Sequence, residues 1–301
     1  MISLNLKLCK PDPFSIRRGP FHLGKELPMN AEKDLRSRLQ LSLRKLMHCQ
    51  TNKRGYVRFP EENLVDGISL KHFEADLRDG DGNELRMKFC AAHSSAALAV
   101  NCFAWFNQSD RKPLLSLLGK NGANTLRFEK KLPIFHGGRP PNLDVWIERG
   151  DEVIGIESKF TEYLVKKKPG FSKAYDRLRP PANSESCWWS VYEQAKRGKP
   201  RYLDIAQLVK HYFGLWRYKR SENAAKSVNF LFMFWEPQNW QDLDVCQHHR
   251  QECAELAQAT KESVIPFNWL SYPNLWQEWL KSPVLAQHAQ DLIRRYGVQV
   301  K

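Results

Sequence analysis

Residues 142–160 constrain this chain more than any other stretch, because they read as two strands folded back on each other. NLDVWIE (142–148) and VIGIESKF (153–160) each alternate, and Arg149-Gly150-Asp151 between them makes a tight turn. Successive side chains of a strand point to opposite faces. Leu143, Val145 and Ile147 therefore share one face of the first strand, and Asp144 takes the other. In the second strand Glu157 and Lys159 share a face, opposite Ile154, Ile156, Ser158 and Phe160. The short turn sets Asp144 beside them. Gly155 lies on the same face, where it leaves space for a ligand backbone to approach.

The flanking sequence extends the hairpin into a larger sheet. LRFEKKLPI (126–134) alternates like a strand, and SVNFLFMFWEP (227–237) is an apolar strand ended by proline. AALAVNCFAWF after Ser94-Ser95 is an apolar helix. YLDIAQLVKHYFGLW (202–216) is amphipathic, with a stripe of Leu203, Ala206, Val209, Phe213 and Trp216. The order helix, strand, strand, strand, helix, strand predicts an α/β fold whose mixed central sheet is flanked by helices. The 202–216 helix crosses over into a parallel fourth strand. The Lys- and Pro-rich stretch 165–200, with Trp188 and Trp189, reads as a loop. A further helix covers about 242–260, and a Trp-rich segment ends the chain. Toward the N-terminus, Asn30 caps a helix to about Met47 that carries Leu35, Leu39, Leu43 and Leu46, and DGDGNE (79–84) is a turn. The chain divides at that turn into a basic N-terminal arm and helix (1–78) and the domain holding the hairpin (79–301).

Lys and Arg number 47 against 33 Asp and Glu, a net charge of +14. Thirteen basic and four acidic residues fall within 1–60. Phosphate polyanions match such an excess, since basic side chains release their counterions on contact. Seven scattered cysteines without a CxxC pair point to a reducing compartment. Prolines and lysines interrupt any secretory apolar core near the N-terminus, and no run of about eighteen apolar residues marks a membrane span. The expected location is the cytoplasm, with no membrane association.

Two carboxylates and a lysine on one sheet face are costly to bury without partners. A hard divalent cation is a natural one, because Mg²⁺ takes oxygen ligands and keeps waters and substrate phosphate as the rest of its shell. Lys159 would then orient or deprotonate the attacking water, or stabilise the developing anion. The plainer alternative is a salt-bridged hairpin edge.

PNLDVWIERGDEVIGIESKFTEYL resembles the active-site hairpin of the PD-(D/E)XK nuclease superfamily. Asp144 matches the motif aspartate and Glu157-Ser158-Lys159 the (D/E)XK. The proline of the motif's name does not directly precede Asp144; Pro141 lies nearby. Together with GDGNELRMKF, AAHSSAALAVNCF and YLDIAQLVKHYFGL, the stretch is similar to a bacterial family of restriction-type endonucleases over roughly residues 79–280. The resemblance implies an αβββαβ restriction-endonuclease-like core; the helical, basic N-terminal extension lies outside it. It implies Mg²⁺-dependent hydrolysis of DNA in defence against foreign DNA, with Mn²⁺ as a substitute. It implies metal ligation by Asp144, Glu157 and the main-chain carbonyl of Ser158, with Lys159 at the water. Such nucleases often carry a further acid, for which Glu129 and Glu84 compete.

In these relatives the crossover helix presents a Gln or Lys to the site. Gln207 is the candidate here, with Lys210 or His211 reaching phosphate; a solvated polar face is the alternative. Trp188 and Trp189 are candidates for stacking on bases, against a plain packing role. Glu162 falls at the rim, and Ser94 or Ser95 caps a helix. Cys246, His248, His249 and Cys253 do not have a familiar zinc spacing. No GxSxG elbow, Walker A loop or dinucleotide fingerprint is present. Cutting both strands of a duplex would favour a homodimer. The rival readings are a DNA-repair nuclease and a nucleic-acid-binding protein without turnover.

Overall fold

The computed structural model describes residues 29–79, 85, 87–108, 125–135, 140–178, 186–221 and 225–300. The hairpin forms where the alternation puts it. β2 (Asn142–Arg149) and β3 (Glu152–Lys159) pair antiparallel around Gly150, whose φ of +49° glycine tolerates at little cost. β1 (Thr125–Lys131) pairs antiparallel with the other edge of β2. The chain then passes through α4 (Ser186–Lys196) and α5 (Ile205–Arg220) and returns as β4 (Ser227–Phe234), parallel to β3. β4 reads SVNFLFMF, the near-continuous apolar run of a strand covered on both faces. α6 (Asp244–Ala259) carries the chain over to β5 (Phe267–Ser271), parallel to β4. The result is a mixed five-stranded sheet in the order β1-β2-β3-β4-β5, flanked by helices. It is an α/β fold of the restriction-endonuclease-like kind.

β3 lies at the centre, and its residues 153–158 are all buried. On one face, Ile147, Ile154, Ile156, Leu231 and Met233 meet Phe103 of α3 (Ser95–Phe103) and Leu275 of α7 (Tyr272–Leu280). α5 and α6 cover the other face. Leu215 of α5 packs over Gly155, and His249 of α6 packs edge-on against Phe234. α1 (Met29–Lys45) joins the same core through Leu35, Leu39 and Leu43. α8 (Ala286–Tyr296) ties the C-terminal region to the segment 43–92. Its buried Arg295 donates to Leu43 O, Asn63 Oδ1 and Ala92 O at 3.4, 2.9 and 2.9 Å. A short α2 (Glu74–Asp79) precedes the turn expected at 79–84, of which only Asp79 lies within the described residues.

Four expectations change. The 165–200 stretch is not wholly loop, since Cys187, Trp188, Val191 and Tyr192 give α4 an apolar side that packs against α5 and α6. Helix α5 starts at Ile205, because Asp204 caps it by accepting from Gln207 N at 3.2 Å. The C-terminal segment supplies a fifth strand. Finally, the space above Gly155 is not open to a ligand. A Cβ there would come within 2.6 Å of Leu143 Cδ1 and 3.2 Å of Leu215 Cδ2, so the glycine serves helix-to-sheet packing.

Candidate active site

Asp144 stands where the regular ladder changes. The β2–β3 register runs from Arg149↔Glu152 to Val145↔Ile156 and ends one residue short of Asp144. On the other side, the pairs Phe128↔Val145 and Lys130↔Leu143 set Glu129 opposite Asp144. Glu129 has φ +50°, the one non-glycine residue with positive φ among the described residues. Such a backbone costs roughly 1–3 kcal/mol and persists only where its surroundings enforce it. The distortion lets the Asp144 carboxylate turn toward β3, where its Oδ2 accepts from Ser158 N at 2.6 Å. Ser158 is held from behind by a 2.8 Å hydrogen bond between its Oγ and Tyr272 OH.

Glu157 is 1% exposed and meets two side chains, Lys159 and His211. Lys159 Nζ donates to its Oε1. His211 Nε2 of α5 lies 2.8 Å from its Oε2, although the ring N–H is not aimed along that line. Burial alone would raise the Glu157 carboxyl, but Lys159 and then His211 outweigh it and hold the group at about 2. Asp144 goes the other way. Burial pushes its carboxyl well above the usual range, neighbouring Glu157 adds to this, and Glu129 adds again. Burial would lower Lys159, yet Glu157, Asp144 and Glu162 together raise it, so the ammonium stays charged.

The chemistry of this set is that of two converging carboxylates short of positive charge. One Glu157 oxygen has no well-aligned donor, and Asp144 is driven toward protonation by burial first and by Glu157 next. Among the described residues no group of three or more His, Cys, Asp or Glu is arranged to hold a metal ion alone. Two carboxylates suffice for a hard cation that keeps waters and substrate oxygens.

A family model described as Restriction Endonuclease associating with ARP matches residues 27–297. The chain belongs to this family. No curated protein and no solved structure matches the chain. Membership in a restriction-endonuclease family implies DNA as the substrate. The match starts within two residues of α1, so it includes the N-terminal helix that lay outside the resemblance seen at 79–280.

The other candidates of this family member scatter. Glu129 comes to the cluster, where it acts on Asp144 and accepts a 3.5 Å contact from Asn142 Nδ2. Glu84 lies outside the described residues. Glu162 Oε2 accepts from Phe160 N at 2.7 Å and adds its charge to Lys159. Gln207 sits one turn before His211 on α5, partly exposed, and its side chain bonds neither carboxylate among the described residues. Lys210 points elsewhere, its Nζ lying 5.5 Å from the centre of the Phe171 ring and 6.0 Å from that of Tyr175.

Two expectations of nucleic-acid contact are corrected. His211 is buried against Glu157 and faces no solvent, so it reaches no phosphate directly. Trp188 is fully buried and stacks on Tyr212 with ring centres 4.3 Å apart, so it offers no face to a base. Trp189 is half-buried and packs on Tyr192 and Phe213. Ser94 caps α3 by accepting from Ala97 N at 3.2 Å. His249 stacks on Tyr163 at 4.0 Å while His248 lies exposed, so the Cys/His group of α6 is spread over two sides of the helix. No helix among the described residues is long and apolar enough to cross a membrane.

The roles of His211 and Glu129 had little signal in the sequence. His211 follows Gln207 by four residues, but the spacing alone does not show that His211 is buried while Gln207 stays partly exposed. A positive φ at a glutamate in an alternating strand leaves no mark at all.

Proposed function

We propose that this chain is a metal-dependent endodeoxyribonuclease of the PD-(D/E)XK kind that restricts foreign duplex DNA. One observation carries the reading. The Asp144 carboxylate is tied to Ser158 N at 2.6 Å, which sets it next to buried Glu157 with Lys159 on the same strand. Asp144 and Glu157 would hold Mg²⁺, or Mn²⁺ in its place, with the Ser158 carbonyl as a third ligand by the resemblance. Glu129 supports the reading as the further acid.

When bound, the cation lowers the pKa of a water and neutralises charge on the phosphate. The protein's own groups supply the rest. Glu157 and Asp144 are pre-placed by the sheet, so little reordering is needed before reaction. Lys159, kept charged by three carboxylates, donates to the attacking oxygen or to the phosphate oxygen that gains charge. A lysine so held serves as an electrostatic stabiliser. His211 fills the space behind Glu157 Oε2 and fixes the carboxylate's orientation.

Supercoiled plasmid with Mg²⁺, with Mn²⁺ and with EDTA tests the assignment, using Asp144→Ala as the control. Nicking that needs the cation and disappears in Asp144→Ala supports it. Plasmid binding without any cutting under all three conditions would instead favour a binding protein on a nuclease scaffold.

A further inference from the structure

Two stretches of this chain hold more than its whole positive surplus. Residues 1–60 exceed neutrality by nine, and residues 165–201 by seven, with ten Lys and Arg against three acids. Since the chain totals +14, everything else is slightly acidic. The two stretches lie more than a hundred residues apart, yet the structure brings their described parts, 29–60 and 165–178 with 186–201, together.

The joint is made by main chain and by one buried acid. Lys167 and Arg201 form an isolated antiparallel bridge, with Lys167 N donating to Arg201 O at 2.8 Å and Arg201 N to Lys167 O at 2.9 Å. That bridge lays the basic run 166–168 against the basic run 196–201. Glu32 of α1, 2% exposed, then docks onto the same place. Its carboxylate accepts from Tyr202 OH at 2.7 Å and from Lys166 N at 3.3 Å. Lys33, the next residue of α1, is exposed beside it.

Some of these cations serve the fold. Lys167 pairs with Asp204, Lys196 with Asp176, and Arg201 with Glu252 and Glu255. Lys33, Lys168, Arg197 and Lys199 are exposed, and no acid among the described residues pairs with them. The tract also has a fixed place relative to the acids. Asp204, which holds Lys167, caps α5, and His211 seven residues on touches Glu157. At about 1.5 Å per residue that is about 10 Å, on the order of three base steps of duplex.

We infer that Lys33, Lys168, Arg197 and Lys199 form one phosphate-binding tract that seats the duplex DNA backbone beside the Asp144–Glu157 pair. This rests on the nuclease reading for the choice of DNA, but it concerns binding and not cutting. The paired cations fix the shape of the tract, and the four unpaired ones meet phosphates. Such contacts are sequence-independent, so they set position and leave base readout to other groups.

The test is binding of a fluorescent duplex to the full chain in EDTA, followed by anisotropy across a salt series. The variant is Lys33→Ala/Lys168→Ala/Arg197→Ala/Lys199→Ala, and the control is Lys71→Ala/Lys261→Ala/Lys281→Ala, which removes exposed lysines elsewhere. The expected result is about a tenfold or greater rise in Kd for the tract variant near 0.1 M salt. Its log–log salt slope should be shallower by about 3.6, since each of four phosphate contacts adds about 0.9. The control should stay within about twofold of the parent. Circular dichroism checks that both variants are folded. Parent-like affinity and slope in a folded tract variant would overturn the inference, as would a parent that binds no duplex. A parent that binds through the tract but never cuts with Mg²⁺ or Mn²⁺ would overturn the nuclease reading and leave the tract standing.

Discussion

His211 Nε2 lies 2.8 Å from Glu157 Oε2, and each side chain is 1% exposed. Neither group has water to fall back on, so each orients the other. Removing a partner that positions a metal-site carboxylate commonly lowers activity or metal affinity by about 10–100-fold. His211→Ala should therefore cut slower by that order and need about tenfold more Mg²⁺ for half-maximal rate. His211→Asn keeps a donor near the carboxylate and should recover part of both. A Mg²⁺ titration of His211→Ala that superimposes on the parent would show the histidine to be filling only.

Asp144 and Glu157 predict opposite effects on stability in EDTA. The folded pKa of Asp144 is raised above its ordinary 3.8, by burial first and by Glu157 next. The folded state thus favours the protonated form, and stability falls as pH rises through that raised value. Glu157 is held at about 2 against an ordinary 4.5, because Lys159 and His211 outweigh its burial. It stabilises the fold above pH 4.5, and this is lost as pH falls toward 2. At pH 7, Asp144→Asn should raise the urea midpoint, and Glu157→Gln should lower stability by about 1–3 kcal/mol. Both should abolish cleavage. The reverse order of midpoints would refute the charge balance described.

Lys159 offers the cleanest separation of binding from chemistry. Its ammonium donates to Glu157 and is 12% exposed, so it faces the site and not the duplex exterior. Removing one stabiliser of developing charge costs about 10²–10³ in rate. Lys159→Ala should lose at least that in single-turnover cutting, while its Kd for duplex in EDTA stays within about twofold. Cutting at the parent rate would end the role assigned to it.

His249 sets an acid limit on the fold that does not depend on the carboxylate cluster. It stacks on Tyr163 at 4.0 Å and meets Phe234 edge-on at 4.6 Å, and its Nδ1 has no hydrogen bond. Burial first, and Arg250 next, lower its pKa from 6.5 to about 3. The unfolded chain takes up the proton below pH 6.5 while the folded chain refuses it, so stability is lost as pH falls through that window. The loss should reach about 2–3 kcal/mol by pH 4. His249→Phe should flatten that part of the curve. An unchanged slope between pH 6.5 and 4 would place the acid sensitivity elsewhere.

The hairpin was legible because two signals agreed, the period of two in 142–148 and 153–160 and a glycine at the turn. The same alternation put Glu157 and Lys159 together. It did not show that Leu143 would swing to the α5 side, because the ladder ends at Val145↔Ile156 and strict alternation ends with it. Helix α5 misled for a related reason. It is covered by the sheet and by α4, so residues 205, 206, 208, 209 and 211–215 are all buried, and of its polar residues His211 alone is inside while Gln207 and Lys210 stay partly exposed. Trp188 misled because a tryptophan in a basic stretch looks the same whether it caps a core or waits for a base. Strand β5, with only FNWLS, is too short to stand out beside the Trp-rich helices that follow.

Glu129 separates strain from charge in a way two substitutions can read. Its φ of +50° disfavours any side chain with a Cβ, and its carboxylate opposes ionisation of Asp144. Glycine accepts that backbone without the steric cost, though it gives up some entropy on folding. Glu129→Gly should therefore raise stability by about 1 kcal/mol while lowering the rate of cutting. Glu129→Gln keeps the backbone cost and removes only the charge. Its stability should rise slightly through relief of Asp144, and its cutting should fall as far as in Glu129→Gly if the carboxylate is what matters. Mg²⁺ titrations of both variants beside the parent decide the point. Full activity in Glu129→Gln with loss in Glu129→Gly would assign the residue to shaping β2 at Asp144 and remove it from the metal-binding set.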